Sequence, residues 1–89
     1  SDTGAYQISG QVTGPAASGV AVSLGGAAVA STTTDGTGHY AFPGLASGSY
    51  TVTPSKSGFV FTPASRTVTV SGANVAAVDF TVAPIPTFS

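Results

Sequence analysis

Residues 38–52 read GHYAFPGLASGSYTV and contain two short runs in which a large apolar residue occupies every second position. The first run is marked by Tyr40 and Phe42, and a Pro-Gly pair typical of turns follows it. The second run is marked by Tyr50 and Val52. Because successive side chains of a strand point to opposite faces of a sheet, this period of two predicts two strands with one buried face each.

The same alternation recurs along the rest of the chain, and turn pairs such as Gly-Pro, Asp-Gly and Ser-Gly separate the runs. Twelve glycines, six prolines and many β-branched residues disfavour helices, and no apolar stripe of helical period is present. The pattern predicts an all-β fold, an antiparallel seven-stranded β-sandwich of the immunoglobulin-like Greek-key type. Besides the two strands above, the predicted strands lie at residues 6–12, 20–24, 28–34, 67–70 and 77–82.

Alternation also predicts which side chains fill the space between the two sheets. Burying one large apolar side chain stabilises a fold by about 1.5–3 kcal/mol relative to leaving it in water. The predicted interior consists of Ile8, Val12, Val20, Val22, Leu24, Tyr40, Phe42, Leu45, Tyr50, Val52, Phe59 or Phe61, Val68, Val70, Val78, Phe80 and Val82.

The chain of 89 residues is long enough for one domain. We expect residues 1–4 to be a disordered lead and residues 5–83 to form the sandwich. Residues 84–89 are predicted to be a linker, because two prolines two positions apart do not fit a central strand. An odd number of antiparallel strands would place the two ends of the domain at opposite poles, which suits a domain held between neighbours in one polypeptide.

Only 6% of the residues are charged, with two basic and three acidic side chains and a formal net charge of −1. So few cations exclude a nucleic-acid-binding surface, since such surfaces neutralise several phosphates. The absence of cysteine excludes disulfides and cysteine-ligated zinc. No apolar run approaches the roughly 20 residues of a membrane-spanning helix, so we expect no membrane insertion.

The ionisable residues do not form a catalytic or metal-binding motif. Asp35 precedes a glycine in a predicted turn, and Asp79 falls on the outward parity of the last strand. His39 adjoins an inward-facing tyrosine, so we expect it to face outward, without the partners that general-base or zinc chemistry needs. We therefore predict no catalytic residue, no cofactor and no metal, and a domain that is not an enzyme.

An ordered series of short motifs covers nearly the whole chain. It consists of ISGQV at 8–12, GVAV at 19–22, TTDG at 33–36, GHYAF at 38–42, GSYTV at 48–52, PSKSGF at 54–59 and VDF at 78–80. The series resembles carboxypeptidase regulatory-like, or prealbumin-like, domains and the related B-type repeats of bacterial surface adhesins. The resemblance implies a prealbumin-like sandwich that is non-catalytic and serves as a stalk, spacer or accessory domain of larger extracellular proteins.

The chain departs from the B-type repeats in two respects. Some of those repeats contain an isopeptide bond from a lysine to an asparagine or aspartate, promoted by a buried carboxylic acid. Here Lys56 is the only lysine, it lies in a predicted loop, and glutamate is absent. Some repeats bind calcium through clustered oxygen ligands, but Asp35 is alone in its loop. We therefore expect neither an isopeptide bond nor a calcium site.

The favoured function is structural: a spacer or presentation domain of a multidomain secreted or cell-surface bacterial protein. Such a domain would be monomeric, with neighbouring domains of the same polypeptide as its partners. The alternative is an accessory module that binds a polysaccharide or a cell-surface protein. Sugar-binding sandwich domains usually stack their ligands on exposed aromatic rings. The candidate ligand contacts are therefore Tyr6, Phe59 and Phe61, and Phe88 is a further ring outside the predicted core.

Overall fold

The computed structural model describes residues 6–85, and over that range the chain forms eight β-strands and no helix. The described part of the chain thus contains no helix that could span a membrane. The strands are β1 (Tyr6–Thr13), β2 (Ala21–Gly26), β3 (Ala30–Thr33), β4 (His39–Leu45), β5 (Gly48–Ser55), β6 (Phe59–Thr62), β7 (Arg66–Val70) and β8 (Phe80–Pro84).

The strands form two four-stranded sheets that enclose the apolar side chains. The first sheet has the order β4-β1-β8-β6, and the second has the order β3-β2-β5-β7. Every pair of neighbouring strands is antiparallel except β1 and β8. The predicted all-β sandwich is confirmed.

The predicted interior is confirmed as well. The alternating residues assigned to it are buried, except for the two phenylalanines of β6, which are half-buried and pack against the core. Serine, threonine and alanine occupy most of the intervening exposed positions, so the period of two gives each strand one apolar and one small or polar face. The buried hydrophobic residues are Ile8, Val12, Val20, Val22, Leu24, Tyr40, Phe42, Leu45, Tyr50, Val52, Val68, Val70, Val78, Phe80 and Val82.

The strand count is eight, and the prediction of seven is wrong. The additional strand is β6, which pairs along its whole length with β8. Its sequence, FVFT, places three large apolar residues in succession, so it shows no alternation from which a strand could be predicted. The structure nevertheless turns Phe59 and Phe61 toward the core and leaves Val60 exposed on the opposite face.

The parallel pairing of β1 with β8 also departs from the prediction of an antiparallel sandwich. The two strands meet through Val12↔Phe80 and Thr13↔Thr81. Because they run in the same direction and overlap only there, β1 begins at one pole of the sandwich and β8 ends at the other. With eight strands, the argument that an odd strand number separates the two ends of the domain no longer applies. The parallel pair nevertheless places the start of β1 and the end of β8 at opposite poles, as predicted.

Residues 73–79 run beside residues 7–11 of β1 without forming a regular strand. The side-chain oxygen of Asn74 accepts a hydrogen bond from the backbone N–H of Gln7 at 2.9 Å. The carboxylate of Asp79 accepts one from the backbone N–H of Gln11, also at 2.9 Å. Two side chains thus supply the acceptors that a neighbouring strand would otherwise provide.

Gly10 allows this segment to approach β1 closely. A Cβ atom at position 10 would collide with the carbonyl group of Val78 and with the hydroxyl group of Tyr40. The same Val78 carbonyl accepts a hydrogen bond from the Tyr40 hydroxyl. Glycine is therefore required at position 10 by a close backbone approach inside the sheet.

The last strand extends to Pro84, one residue into the segment predicted to be a linker. The proline is tolerated because it lies at the end of β8, opposite Phe59. Ile85 follows it and donates its backbone N–H to the carbonyl oxygen of Gly58 at 3.0 Å. The predicted lead at residues 1–4 and the rest of the predicted linker, residues 86–89, lie outside the described residues.

Candidate functional site

A groove of about 780 Å³ opens at the pole where β8 ends. Its walls come from β6, from the end of β5 with the turn that follows it, and from the start of β2. We call it the β6 groove, and Pro54, Lys56, Phe59 and Phe61 are the lining residues that define its chemistry.

Two aromatic rings form the apolar part of the β6 groove. Phe59 and Phe61 are two positions apart on β6, so both point to the same side of the strand, about 7 Å apart along it. Both rings are half-buried and pack against the core, while each still lines the groove. The structure thus brings together two of the three predicted ligand contacts.

The groove also contains the ammonium group of Lys56. Its Nζ atom donates hydrogen bonds to the carbonyl oxygens of Ser18 at 2.8 Å and Ala16 at 3.3 Å. The same atom lies 5.6 Å from the centroid of the Phe59 ring, within the range of a cation–π interaction. Among the described residues no carboxylate forms an ion pair with Lys56. The ammonium group interacts only with neutral groups, two carbonyl oxygens and one aromatic ring.

The loop that supplies these carbonyl groups is itself anchored. The hydroxyl of Thr34, a buried polar residue, donates to the carbonyl oxygen of Ala17 at 2.6 Å and accepts from the backbone N–H of Val20 at 2.9 Å. Backbone hydrogen bonds from Gly19 to Thr34 and from Thr34 to Val20 add to this anchor. The ammonium group is therefore positioned by backbone that is fixed to the rest of the sandwich.

Tyr6 lies far from the β6 groove. Counted through the β1–β8 pairing, it is eight strand positions from Phe61 and ten from Phe59, or roughly 26–33 Å along the sheet. Tyr6 is half-buried and packs against the core at the other pole. The structure does not bring Tyr6 together with the other two predicted contacts, and Phe88 lies outside the described residues.

A second depression, of about 350 Å³, lies on the outer surface of the first sheet and contains the imidazole and one carboxylate. Ser9, His39 and Asp79 all line it. Within residues 6–85, no hydrogen bond joins the side chains of these three residues. The arrangement therefore does not activate the serine as a nucleophile, which would need the hydroxyl within hydrogen-bonding reach of the histidine.

The polar side chains of this depression form hydrogen bonds with other neighbours instead. The carboxylate of Asp79 accepts the N–H of Gln11, as described above. His39 is exposed, as predicted, and its Nδ1 atom lies 2.7 Å from the hydroxyl oxygen of Thr37. Within residues 6–85 no three side chains of the His, Cys, Asp and Glu types gather into a group that could hold a metal ion.

Asp35 organises the turn between β3 and β4, in agreement with its predicted turn role. Its Oδ1 atom accepts hydrogen bonds from the Thr37 hydroxyl at 2.8 Å, the Thr37 N–H at 2.9 Å and the His39 N–H at 3.0 Å. These bonds, with that from the Thr37 hydroxyl contributing most, lower the pKa of the Asp35 carboxyl below its usual value. The ionised Asp35 side chain therefore stabilises the turn by accepting these three hydrogen bonds.

Tyr40 is the one described residue whose pKa is strongly raised, and its role is also structural. Burial is the main cause, and the negative charge of Asp79 adds to it. The protonated hydroxyl donates to the carbonyl oxygen of Val78, which ties residues 73–79 to the core. A phenol kept neutral in this way is a hydrogen-bond donor at every physiological pH.

Sequence reasoning placed Lys56 in a loop and gave it no part in a site. The site could not be predicted without β6. This strand begins at Phe59, directly after the turn, and places the Phe59 ring next to the ammonium group. The spacing of a lysine three residues before an aromatic residue is the available signal, and by itself it is not specific.

The chain matches a known protein family over most of its length. The model of the carboxypeptidase regulatory-like domain family matches residues 7–83, a range that contains all of β2 to β7 and nearly all of β1 and β8. No match is found among curated proteins. The match agrees with the two-sheet sandwich described above. It also agrees with the structural roles of Asp35, His39 and Asp79, whose hydrogen bonds lie in a turn and between neighbouring segments. The chain belongs to the carboxypeptidase regulatory-like domain family, whose members are non-catalytic, prealbumin-like β-sandwich modules.

Proposed function

We propose that this domain is a structural spacer in a multidomain secreted or cell-surface bacterial protein. The observation that supports the proposal is the parallel pairing of β1 with β8, which puts the first and last strand ends at opposite poles. Polypeptide that precedes β1 and polypeptide that follows β8 are thereby held apart by the length of the sandwich.

The register gives the size of this separation. Seven residues lead from Tyr6 to Thr13, and three more lead from Thr81, its partner, to Pro84. At about 3.3 Å per residue the two strand ends lie roughly 33 Å apart along the sheet. A linker of similar chain length without structure would give a variable distance, whereas a packed sandwich gives a fixed one.

The surface of the second sheet suits a module that separates its neighbours without binding them through charge. Apart from Arg66 at the start of β7, most of its exposed positions on β5 and β7 carry hydroxyl groups, as at Thr51, Thr53, Thr67 and Thr69. Hydroxyl groups keep a half-exposed strand hydrated, and threonine suits the extended backbone. The low charge of the whole chain also favours a location outside the cell, where such hydroxyl-rich modules are common.

The test is an exchange of the domain within its parent protein. An unrelated β-sandwich whose ends are also about 33 Å apart is substituted for residues 6–85, and a second version carries a flexible linker of ten residues instead. The spacer proposal predicts that the span-matched sandwich preserves the activity or surface display of the parent and that the short linker does not. Loss of function with both replacements would overturn it.

A second function, binding of a carbohydrate or protein partner, is favoured by the β6 groove. A spacer does not need two half-buried phenylalanines beside an ammonium group whose hydrogen-bond partners are neutral carbonyls. The test is an NMR titration of the isotopically labelled chain with polysaccharide fragments and peptides. Binding predicts saturable shifts confined to the groove, and a titration without such shifts would remove this second function.

A further inference from the structure

The charge of the β6 groove is the first argument about what it binds. Lys56 is one of two cations in the chain, and the other, Arg66, does not line the groove. Its two carbonyl acceptors are neutral, so the groove keeps a net positive charge. An ammonium group has three N–H bonds, and two are used by these acceptors, which leaves one donor for a ligand.

The position of that charge is the second argument. Two hydrogen bonds to an anchored loop fix the ammonium group 5.6 Å from the centre of the Phe59 ring. A ligand that meets the cation therefore also meets an aromatic ring. Because the Lys56 side chain is held in place before binding, contact with a ligand would cost it little further conformational entropy.

The rings are the third argument. Phe59 and Phe61 offer carbon surface with a negative electrostatic face, against which the C–H groups of a sugar ring pack favourably. The hydroxyl groups of Ser55 and Ser57 also line the groove and can exchange hydrogen bonds with sugar hydroxyls. A carboxylate attached to a sugar ring would match the cation, the rings and the hydroxyls together.

A peptide fits the same surface less well. Peptides in extended grooves are usually held through backbone N–H and C=O groups. On the β5 wall of this groove Pro54 has no N–H, and Ser55 is already paired with Ala21 of β2. The other wall, β6, is an edge strand of only four residues, and the Phe59 N–H already donates to the carbonyl oxygen of Lys56 at 3.1 Å. Few backbone groups are thus left to hold a peptide, and the apolar and hydroxyl lining favours a sugar.

We propose that the β6 groove binds a uronic acid unit of an acidic polysaccharide. The ammonium group of Lys56 contacts the sugar carboxylate, and the rings of Phe59 and Phe61 contact the sugar ring. This proposal rests on the second function above and is independent of the spacer role, which requires no ligand.

The test is an NMR titration of the 89-residue chain with trigalacturonate as the probe. We expect saturable shifts of amide groups at residues 54–61 and weaker binding at higher salt, since salt screens the ammonium–carboxylate attraction. The fully methyl-esterified trisaccharide has the same rings without charge and should bind about tenfold or more weakly. Polyglutamate, which has the charge without the rings, should bind no better than the ester.

Matched variants separate the groups that act. Lys56→Gln should weaken binding about tenfold, whereas Lys56→Arg should keep it within about threefold, because the charge remains. Arg66→Gln removes the same charge away from the groove and should change the affinity less than twofold. Phe61→Leu keeps the apolar volume without the ring and should weaken binding about threefold to tenfold. The amide spectrum of each variant shows whether the fold is intact.

Three results would overturn the proposal. They are equal binding of the acid and its methyl ester, binding of polyglutamate as tight as that of trigalacturonate, and shifts that lie outside residues 54–61. Absence of any binding by trigalacturonate would overturn it too, while leaving the domain-exchange test of the spacer role unaffected.

Discussion

Tyr40 and Tyr50 are core residues whose hydroxyl groups both donate to backbone carbonyls, but in different surroundings. The Tyr40 hydroxyl bonds to Val78 in a buried position, and the Tyr50 hydroxyl bonds to Ala46 at 2.6 Å in a partly buried one. Tyr40→Phe leaves the buried Val78 carbonyl without this donor, which should cost about 1–3 kcal/mol of the free energy of unfolding. Urea unfolding measures the change.

Tyr50→Phe is the matched control for this prediction. It removes the same atom, but water can reach the freed Ala46 carbonyl more easily, so we expect a smaller loss of about 0.5–1.5 kcal/mol. A loss for Tyr40→Phe that does not exceed the loss for Tyr50→Phe would contradict the account of residues 73–79 as a segment held by the Tyr40 hydroxyl.

Asp35 should make stability depend on pH. Its pKa is lowered in the folded chain by hydrogen bonds from Thr37 and His39, so the unfolded chain binds the proton more tightly. The carboxylate therefore contributes stability that is fully present above its ordinary pKa, 3.8, and is lost as the pH falls through the lower folded-state value. Asp35→Asn should lower the urea midpoint at pH 7.

The difference between the wild-type chain and Asp35→Asn should then shrink as the pH is lowered below about 4, because both side chains become neutral. Urea midpoints measured from pH 7 to pH 2 provide the comparison. A difference that stays constant over this range would show that the charge of Asp35 does not hold the turn.

At the level of single residues, the sequence predicted the core well and the site only in part. Buried positions such as Ile8, Val52 and Phe80 lie in runs with a clean period of two, and that period is a local property of the chain. The role of Lys56 depends on carbonyl groups of Ser18 and Ala16, about forty positions away. No local pattern contains such a contact.

At the level of elements, β6 is the strand that the sequence did not reveal. Its exposed residue is as apolar as its inward ones, so no alternation marks it. The pairing of β1 with β8 was missed for another reason. Strand partners are chosen by long-range contacts, and here Asn74 and Asp79 guide residues 73–79 along β1 through side-chain hydrogen bonds. Turn signals and periodicity do not record such contacts.

The two faces of β6 give a direct test of its orientation. Val60 is 46% exposed, whereas Phe61 is half-buried against the core. We expect Phe61→Ser to lower the free energy of unfolding by about 2 kcal/mol, roughly half the loss for a fully buried ring. Val60→Ser should cost less than about 1 kcal/mol. Urea unfolding of both variants provides the measurement, and equal losses would mean that β6 does not have one inward face.

At the level of the whole molecule, the account depends on the direction of the last strand relative to the first. A sandwich in which the two strands were antiparallel neighbours would bring both chain ends to the same pole and could not hold its neighbours apart. The parallel register of Thr13 with Thr81 is therefore the feature on which the spacer role rests. The groove at the end of β8 adds a binding site without changing this geometry.

A distance between two spin labels tests that geometry directly. The chain contains no cysteine, so labels can be attached to Gln7→Cys and Ala83→Cys, both at exposed positions. The register places these positions eight strand residues apart, and double electron–electron resonance should give a distance of about 26 Å. The control pair Thr13→Cys and Thr81→Cys, on paired residues, should give strong short-range broadening. A distance below about 15 Å between positions 7 and 83 would place both ends at one pole and contradict the spacer account.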